Sequence, residues 1–175
     1  MSEPKLTFSW KKDRDHDLDL KEFASRVLKQ AKNNLLADGY LIPLAFLITD
    51  QEIHCYGLSF QGHEQKRIIY DELIALARAE NAVAIVTVND AYTKQHGSQA
   101  ELKKYVEGYY PGRLQEEESP ECIFLAITGP GLRNRTYSIA YARVEGELCF
   151  GEIDEECGGE VGLLEGWSET DTEKK

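Results

Sequence analysis

Residues 122–153, CIFLAIT-GPGLRN-RTYSIAYARVE-G-ELCFGEI, decide the fold class of this chain. Their β-branched and aromatic composition predicts three strands, at 122–128, 135–145 and 147–153. Gly129-Pro130-Gly131 and Glu145-Gly146 are typical turn sequences, so we expect each strand to run antiparallel to the next. Three consecutive antiparallel strands favour an α+β sheet over a doubly wound parallel one.

Two amphipathic helices and three strands are predicted upstream of this stretch. Asp19 and Glu22 have the spacing of a capping box, and Asp38-Gly39 is a typical helix end. Between them, apolar residues at helical spacing form one stripe: Leu20, Phe23, Ala24, Val27, Leu28, Ala31 and Leu35. The next predicted elements are a hairpin (40–49 and 53–60), a helix (64–80) and an interior strand (82–88).

These elements predict one α+β domain over residues 19–153, with a mostly antiparallel sheet of about five to six strands and two main helices. Residues 1–18 are interpreted as an arm or edge strand, because Leu6, Phe8 and Trp10 alternate with polar residues. Residues 89–121 form a long excursion with a helix-compatible piece at 98–107. The acidic residues 154–175 are predicted to be a flexible tail. The order of elements is similar to that of roadblock and profilin-like domains, a similarity of topology that no motif accompanies.

Composition excludes several classes of function. The 175 residues include 20 basic and 31 acidic side chains, a net charge of −11, so a broad basic surface for nucleic acid or an anionic membrane is not expected. No apolar run is long enough for a transmembrane helix, and the N-terminus lacks a secretory signal. We therefore expect a cytoplasmic protein whose four cysteines, which form no C-x-x-C pair, are free thiols. Phosphate-binding and zinc motifs are absent from the sequence, so neither a cofactor nor a metal is predicted.

The densest group of titratable residues follows the interior strand. Asp90, Tyr92, Lys94 and His96 begin the long excursion, and positions just beyond a strand end commonly form ligand or catalytic sites. His54, in the predicted hairpin, is a further candidate for this cluster. The alternative readings are structural: Asp90 as a turn or helix-capping residue, and His54 as an exposed strand histidine.

A second group of residues is typical of protein interfaces. Tyr109 and Tyr110 lie on the excursion, and tyrosine offers a large apolar area with a polar tip. Leu163, Leu164 and Trp167 lie in the acidic tail, where they resemble a segment that docks in a partner's groove. The alternatives are that Trp167 packs on its own domain or that it lies in a disordered end without a partner.

The leading hypothesis from the sequence is a non-enzymatic cytoplasmic interaction or adaptor module that binds a protein partner and is compatible with a homodimer. One alternative is a small-molecule-binding domain or hydrolytic enzyme with its site near residues 90–96. Another is an acidic decoy that occupies a nucleic-acid-binding protein by presenting carboxylates in place of phosphates.

Overall fold

A computed structural model describes residues 6–7, 16–92, 98–108, 121–158, 164 and 167. The helices are α1 (His16–Asp38), α2 (Gly62–Ala79) and α3 (Gln99–Glu107). The strands are β1 (Leu6–Thr7), β2 (Leu44–Ile48), β3 (Glu52–Gly57), β4 (Ala84–Tyr92), β5 (Glu121–Thr128), β6 (Arg135–Val144) and β7 (Glu147–Cys157). Within these ranges, no helix is both long and apolar enough to cross a membrane.

The strands form one sheet in the order β1-β3-β2-β4-β5-β6-β7, and every neighbouring pair is antiparallel. This confirms the predicted α+β class and the antiparallel sheet. The described part of the chain has seven strands, because the two-residue β1 pairs with β3 at one edge. β7 forms the opposite edge.

The two main helices cover opposite faces of the sheet. Alternate strand residues belong to two separate apolar clusters, one with α1 and the other with α2. On one face, α1 residues such as Ala24 and Leu28 pack with Val86 and Leu125. On the other, α2 residues such as Leu73 and Ala77 pack with Leu47. Alternate strand side chains point to opposite faces, so a sheet that is apolar on both faces needs a layer on each.

Both turns that set the antiparallel order form as predicted. Glu145 and Gly146 have φ values of 53° and 84°, a conformation that suits the tight hairpin between β6 and β7. After β5, the Leu132 amide donates to the Gly129 carbonyl at 3.1 Å. A Cβ atom on Gly129 would overlap the backbone carbonyl oxygen of Val83, so this close approach requires glycine.

Strand β4 is longer than predicted. Asp90 was expected just beyond a strand that ends near residue 88, but it lies inside β4 and pairs with Ile123 of β5. Asn89 and Asp90 are unfavourable in strands, and the ladder to β5 overrides that local preference. Asp90 is therefore neither a turn residue nor a helix cap.

Two parts of the segment predicted to be a flexible tail belong to the folded domain in the structure. Residues 154–157 belong to β7, which pairs with β6 as far as Arg135 opposite Cys157. Leu164 and Trp167 are 1% and 4% exposed, and both lie in the apolar cluster under α2. These two side chains are buried in the core of their own domain, which for Trp167 is the packing that the alternative reading gave.

Candidate functional site

A cavity in the described part of the chain lies between α1 and one half of the sheet. α1 packs mainly on β4 and β5, so the α1-facing side of β2 and β3 lies beside the helix rather than beneath it. The resulting α1 groove has a volume of about 580 Å³. Ligand-binding pockets typically have volumes of about 300–1,000 Å³.

The floor of the α1 groove is apolar. It is formed by Phe23, Val27, Ala31, Leu41, Leu44, Phe46, Ile53 and Val88. The Phe23 and Phe46 rings meet edge to face, with centroids 5.2 Å apart and an interplanar angle of 86°. This favourable aromatic geometry fixes the helix against β2 along one wall of the groove.

The polar rim of the groove is largely paired within α1. Glu22, Arg26, Gln30 and Asn34 follow one another at intervals of four residues, on one side of the helix. Arg26 donates to Glu22 at 3.1 Å, and the Gln30 side-chain amide donates to the Asn34 oxygen at 2.9 Å. These four side chains thus compensate one another in charge and hydrogen bonding, while the Asp19 carboxylate also lines the groove near the start of α1.

Three large apolar side chains around the end of α1 are exposed. Leu36, Tyr40 and Ile42 are 59%, 62% and 54% exposed, which is unusual for large apolar side chains so close in sequence. Tyr40 and Ile42 stand on either side of Leu41, a floor residue of the groove. We call these three residues the α1–β2 patch. Arg143 of β6 donates to the Gly39 carbonyl at 2.7 Å and holds this loop against the sheet.

Asp90 lies in a different part of the sheet, among groups that were not predicted to surround it. Its carboxylate is close enough to influence the ionisation of Lys66, Cys122 and Tyr141. Burial, reinforced by Asp90, raises the pKa of the Cys122 thiol to about 11. Burial also raises the pKa of Tyr141, and the Glu121 and Asp90 carboxylates add to that rise. Both groups therefore stay protonated at neutral pH, and Cys122 lacks the thiolate that a nucleophilic cysteine requires.

Lys66 forms a cation–aromatic contact at the start of α2. Its Nζ atom lies 5.4 Å from the centroid of the Phe60 ring and 5.7 Å from that of Tyr70. Burial lowers the pKa of Lys66, while the Asp90 carboxylate opposes that shift. The two rings and the carboxylate favour the ammonium form, whereas burial, the larger influence on the pKa, disfavours it.

His54 is separated from Asp90. Strand pairing aligns His54 with Leu47 of β2 and Ile85 of β4, five residues before Asp90. At about 3.3 Å per residue, the two positions differ by about 16 Å along the strands. The His54 Nε2 atom instead lies 2.9 Å from a Glu52 carboxylate oxygen. The histidine is 13% exposed at its side chain, so it is not the exposed strand residue of the alternative reading.

The structure gives little information on the other predicted site residues. Tyr92 lies in β4, beside Glu121 of β5. Outside the described residues are Lys94, His96, Tyr109, Tyr110 and Leu163. Among the residues that the structure does describe, no three His, Cys, Asp or Glu side chains are grouped so as to hold a metal ion.

Sequence reasoning missed the α1 groove for a definable reason. The helical stripe correctly included Phe23 and Val27, but periodicity does not reveal where a helix sits across a sheet. These two residues line the groove, whereas Ala24 and Leu28 of the same stripe are buried against the sheet. The run Leu36, Tyr40 and Ile42, apolar residues around a helix end, was the sequence signal of an exposed apolar surface.

The comparisons with known proteins give no family assignment. A scan against protein-family models matched none, and searches of curated proteins and of solved structures returned no significant match. Function is therefore inferred from the groove and its surroundings.

Proposed function

We propose that this protein is a non-enzymatic interaction module that binds apolar side chains of a partner protein in the α1 groove. The observation that carries the proposal is an apolar floor behind a rim on which Arg26 is paired with Glu22 and Gln30 with Asn34. Such a site gains free energy chiefly by removing apolar surface from water, at about 25 cal/mol per Å².

The α1–β2 patch supports a protein partner rather than a ligand that the groove alone would enclose. Its three side chains are more than half exposed, and Tyr40 and Ile42 are the sequence neighbours of Leu41, which lines the groove. Protein interfaces commonly combine a central pocket for an anchoring side chain with a surrounding apolar area. A partner residue in the groove would leave neighbouring residues in reach of Tyr40 and Ile42.

The residues around Asp90 offer weaker support for an enzyme. Cys122 is buried with a raised pKa, and the Lys66 Nζ atom lies against the Phe60 and Tyr70 rings. Cys122 is not prepared for nucleophilic attack, since that chemistry needs an accessible thiolate.

A second candidate function is the binding of a small apolar molecule in the same groove. The volume of about 580 Å³ favours it, because this is the size of an ordinary ligand pocket. The two candidates differ in their need for the α1–β2 patch, since a small molecule would fit within the groove.

Selection from a displayed library of random peptides tests the proposal. Val27→Trp places a large side chain in the groove, and Ser25→Trp places the same side chain on an exposed α1 position that does not line it. We expect peptides rich in aromatic and aliphatic residues to bind the original chain and the Ser25 variant, and to bind Val27→Trp at least about tenfold more weakly.

The α1–β2 patch distinguishes the two candidates. Tyr40→Ser with Ile42→Ser should weaken peptide binding but leave the binding of the nonpolar dye N-phenyl-1-naphthylamine intact. Dye binding that Val27→Trp abolishes, with no peptide enriched, would favour the small-molecule candidate. Peptide binding that is equal in all variants would contradict a role for the groove.

A further inference from the structure

Strand β7 forms one edge of the sheet. It is the last strand in the sheet order, and in the described part of the chain no strand other than β6 pairs with it. The opposite edge differs, because β1 covers the start of β3. β7 has 11 residues, of which all but Leu148 and Phe150 are exposed. A long exposed edge presents backbone N–H and C=O groups that can pair with another strand.

The segment Ile153–Cys157 is the regular part of this edge. A register irregularity in the pairing with β6 falls between Ile139 and Tyr141, opposite the residues that precede Ile153. From Ile153 onward the pairing is continuous to Cys157. This five-residue segment, which we call the β7 edge, is long enough to pair with a short strand.

The two faces of the β7 edge have different chemistry. Ile153 and Glu155 lie on the face that α1 covers elsewhere, and Asp154 and Glu156 lie on the other. The negative charge of Glu155 is already compensated, since its carboxylate lies 3.6 Å from Lys21 and 3.6 Å from Arg135. No basic side chain of the described residues pairs with Asp154 or Glu156. One face thus offers uncompensated negative charge, and the other offers Ile153, which is 54% exposed.

We propose that the β7 edge pairs with an extended segment of a partner protein in which basic and apolar residues alternate. Side chains on paired strands face each other on the same side of the sheet. The basic residues would lie opposite Asp154 and Glu156, and the apolar residues would lie opposite Ile153 and the neutralised Glu155. This surface is separate from the α1 groove, so the proposal about the β7 edge does not depend on the proposed function.

Charge argues against a second copy of this chain as the occupant. β7 contains five acidic residues and no lysine or arginine. Pairing two β7 strands would bring ten carboxylates together, and like charges on paired strands are destabilising. The same charges that prevent self-association select a basic strand.

The test uses two labelled peptides of equal charge. One alternates lysine and valine; in the other, proline replaces valine and removes backbone donors while the lysines remain. Fluorescence anisotropy under reducing conditions should show saturable binding of the valine peptide. The proline peptide should bind at least about tenfold more weakly.

Two charge-reversal variants provide the matched comparison. Asp154→Lys with Glu156→Lys should reduce binding of the valine peptide at least about tenfold. Asp71→Lys with Glu72→Lys changes the net charge equally on the exposed side of α2 and should leave most of the binding. Hydrogen exchange should slow at the amides of residues 153–157 in the bound chain.

Three results would overturn the proposal. One is equal binding of the proline and valine peptides, which would indicate charge attraction alone. The second is binding without slower exchange in residues 153–157. The third is self-association through β7, detected by analytical ultracentrifugation as a dimer that exchange protection places at this edge.

Discussion

Cys122 shows how one residue's burial changes its chemistry. The side chain is 3% exposed, on β5, and Asp90 contributes a nearby negative charge. A thiol in that setting resists ionisation, because the thiolate would lose its hydration and meet a like charge. Sequence analysis placed Cys122 in a strand, but it gave no indication that Asp90 would act on the thiol. That relation depends on β4 extending past Val88 to pair with β5.

The raised pKa of Cys122 predicts a loss of stability in alkaline solution. The folded chain holds the thiol proton up to a pKa of about 11, whereas the ordinary value is 9.0. Between these pH values the unfolded chain releases the proton first, so the free energy of unfolding should fall as pH rises from about 9 to 11. Tyr141, whose pKa is also raised, acts in the same direction.

Urea unfolding at several pH values measures this effect. The Cys122→Ala variant should show a shallower decline than the original chain between pH 9 and 11. Cys149→Ala should keep the original decline, because Cys149 is exposed in the folded chain. An identical pH dependence in the original chain and Cys122→Ala would contradict the assigned environment of Cys122.

At the scale of elements, the face of the sheet that α2 covers is completed by residues distant in sequence. Leu164 and Trp167 join α2 and the strands in one apolar cluster. Sequence composition predicted a flexible acidic tail, because the surrounding residues are charged or small. Local composition could not show that β7 returns the chain to the sheet and that two large side chains pack there.

Trp167→Ala should therefore destabilise the domain strongly. Removing a buried tryptophan side chain typically costs about 3–5 kcal/mol, through lost burial and the cavity that remains. Ile68→Ala, at a 53% exposed position of α2, should have a much smaller effect. The comparison is made by urea unfolding, with Trp167→Phe as an intermediate variant. Equal effects of Trp167→Ala and Ile68→Ala would show that Trp167 is not part of the core.

The same contacts change what a tail deletion means. Removing residues 154–175 takes away part of β7 together with Leu164 and Trp167. Such a deletion is expected to weaken the fold, so it cannot isolate a role in partner binding. Point substitutions in the α1 groove or at the β7 edge separate the two effects.

At the scale of the whole molecule, periodicity predicted more of the fold than of the site. The α1 stripe, the alternating strands and the turns at Gly129 and Gly146 follow from local physical chemistry, and the structure contains all of them. The end of β4 depended on pairing with a strand that lies about thirty residues further along the chain. The groove results from the displacement of α1 across the sheet, and no local sequence pattern predicts that displacement.

Nuclear magnetic resonance on a bound peptide tests the central claim, that the α1 groove receives apolar side chains of a partner. A peptide enriched in the library selection would be titrated into the labelled chain. Intermolecular nuclear Overhauser effects would then be measured from the methyl groups of Val27 and Leu44, which line the groove. We expect these methyl groups to contact aromatic or aliphatic protons of the peptide. Contacts confined to α2 or to the β7 edge, with none at Val27 or Leu44, would contradict the claim.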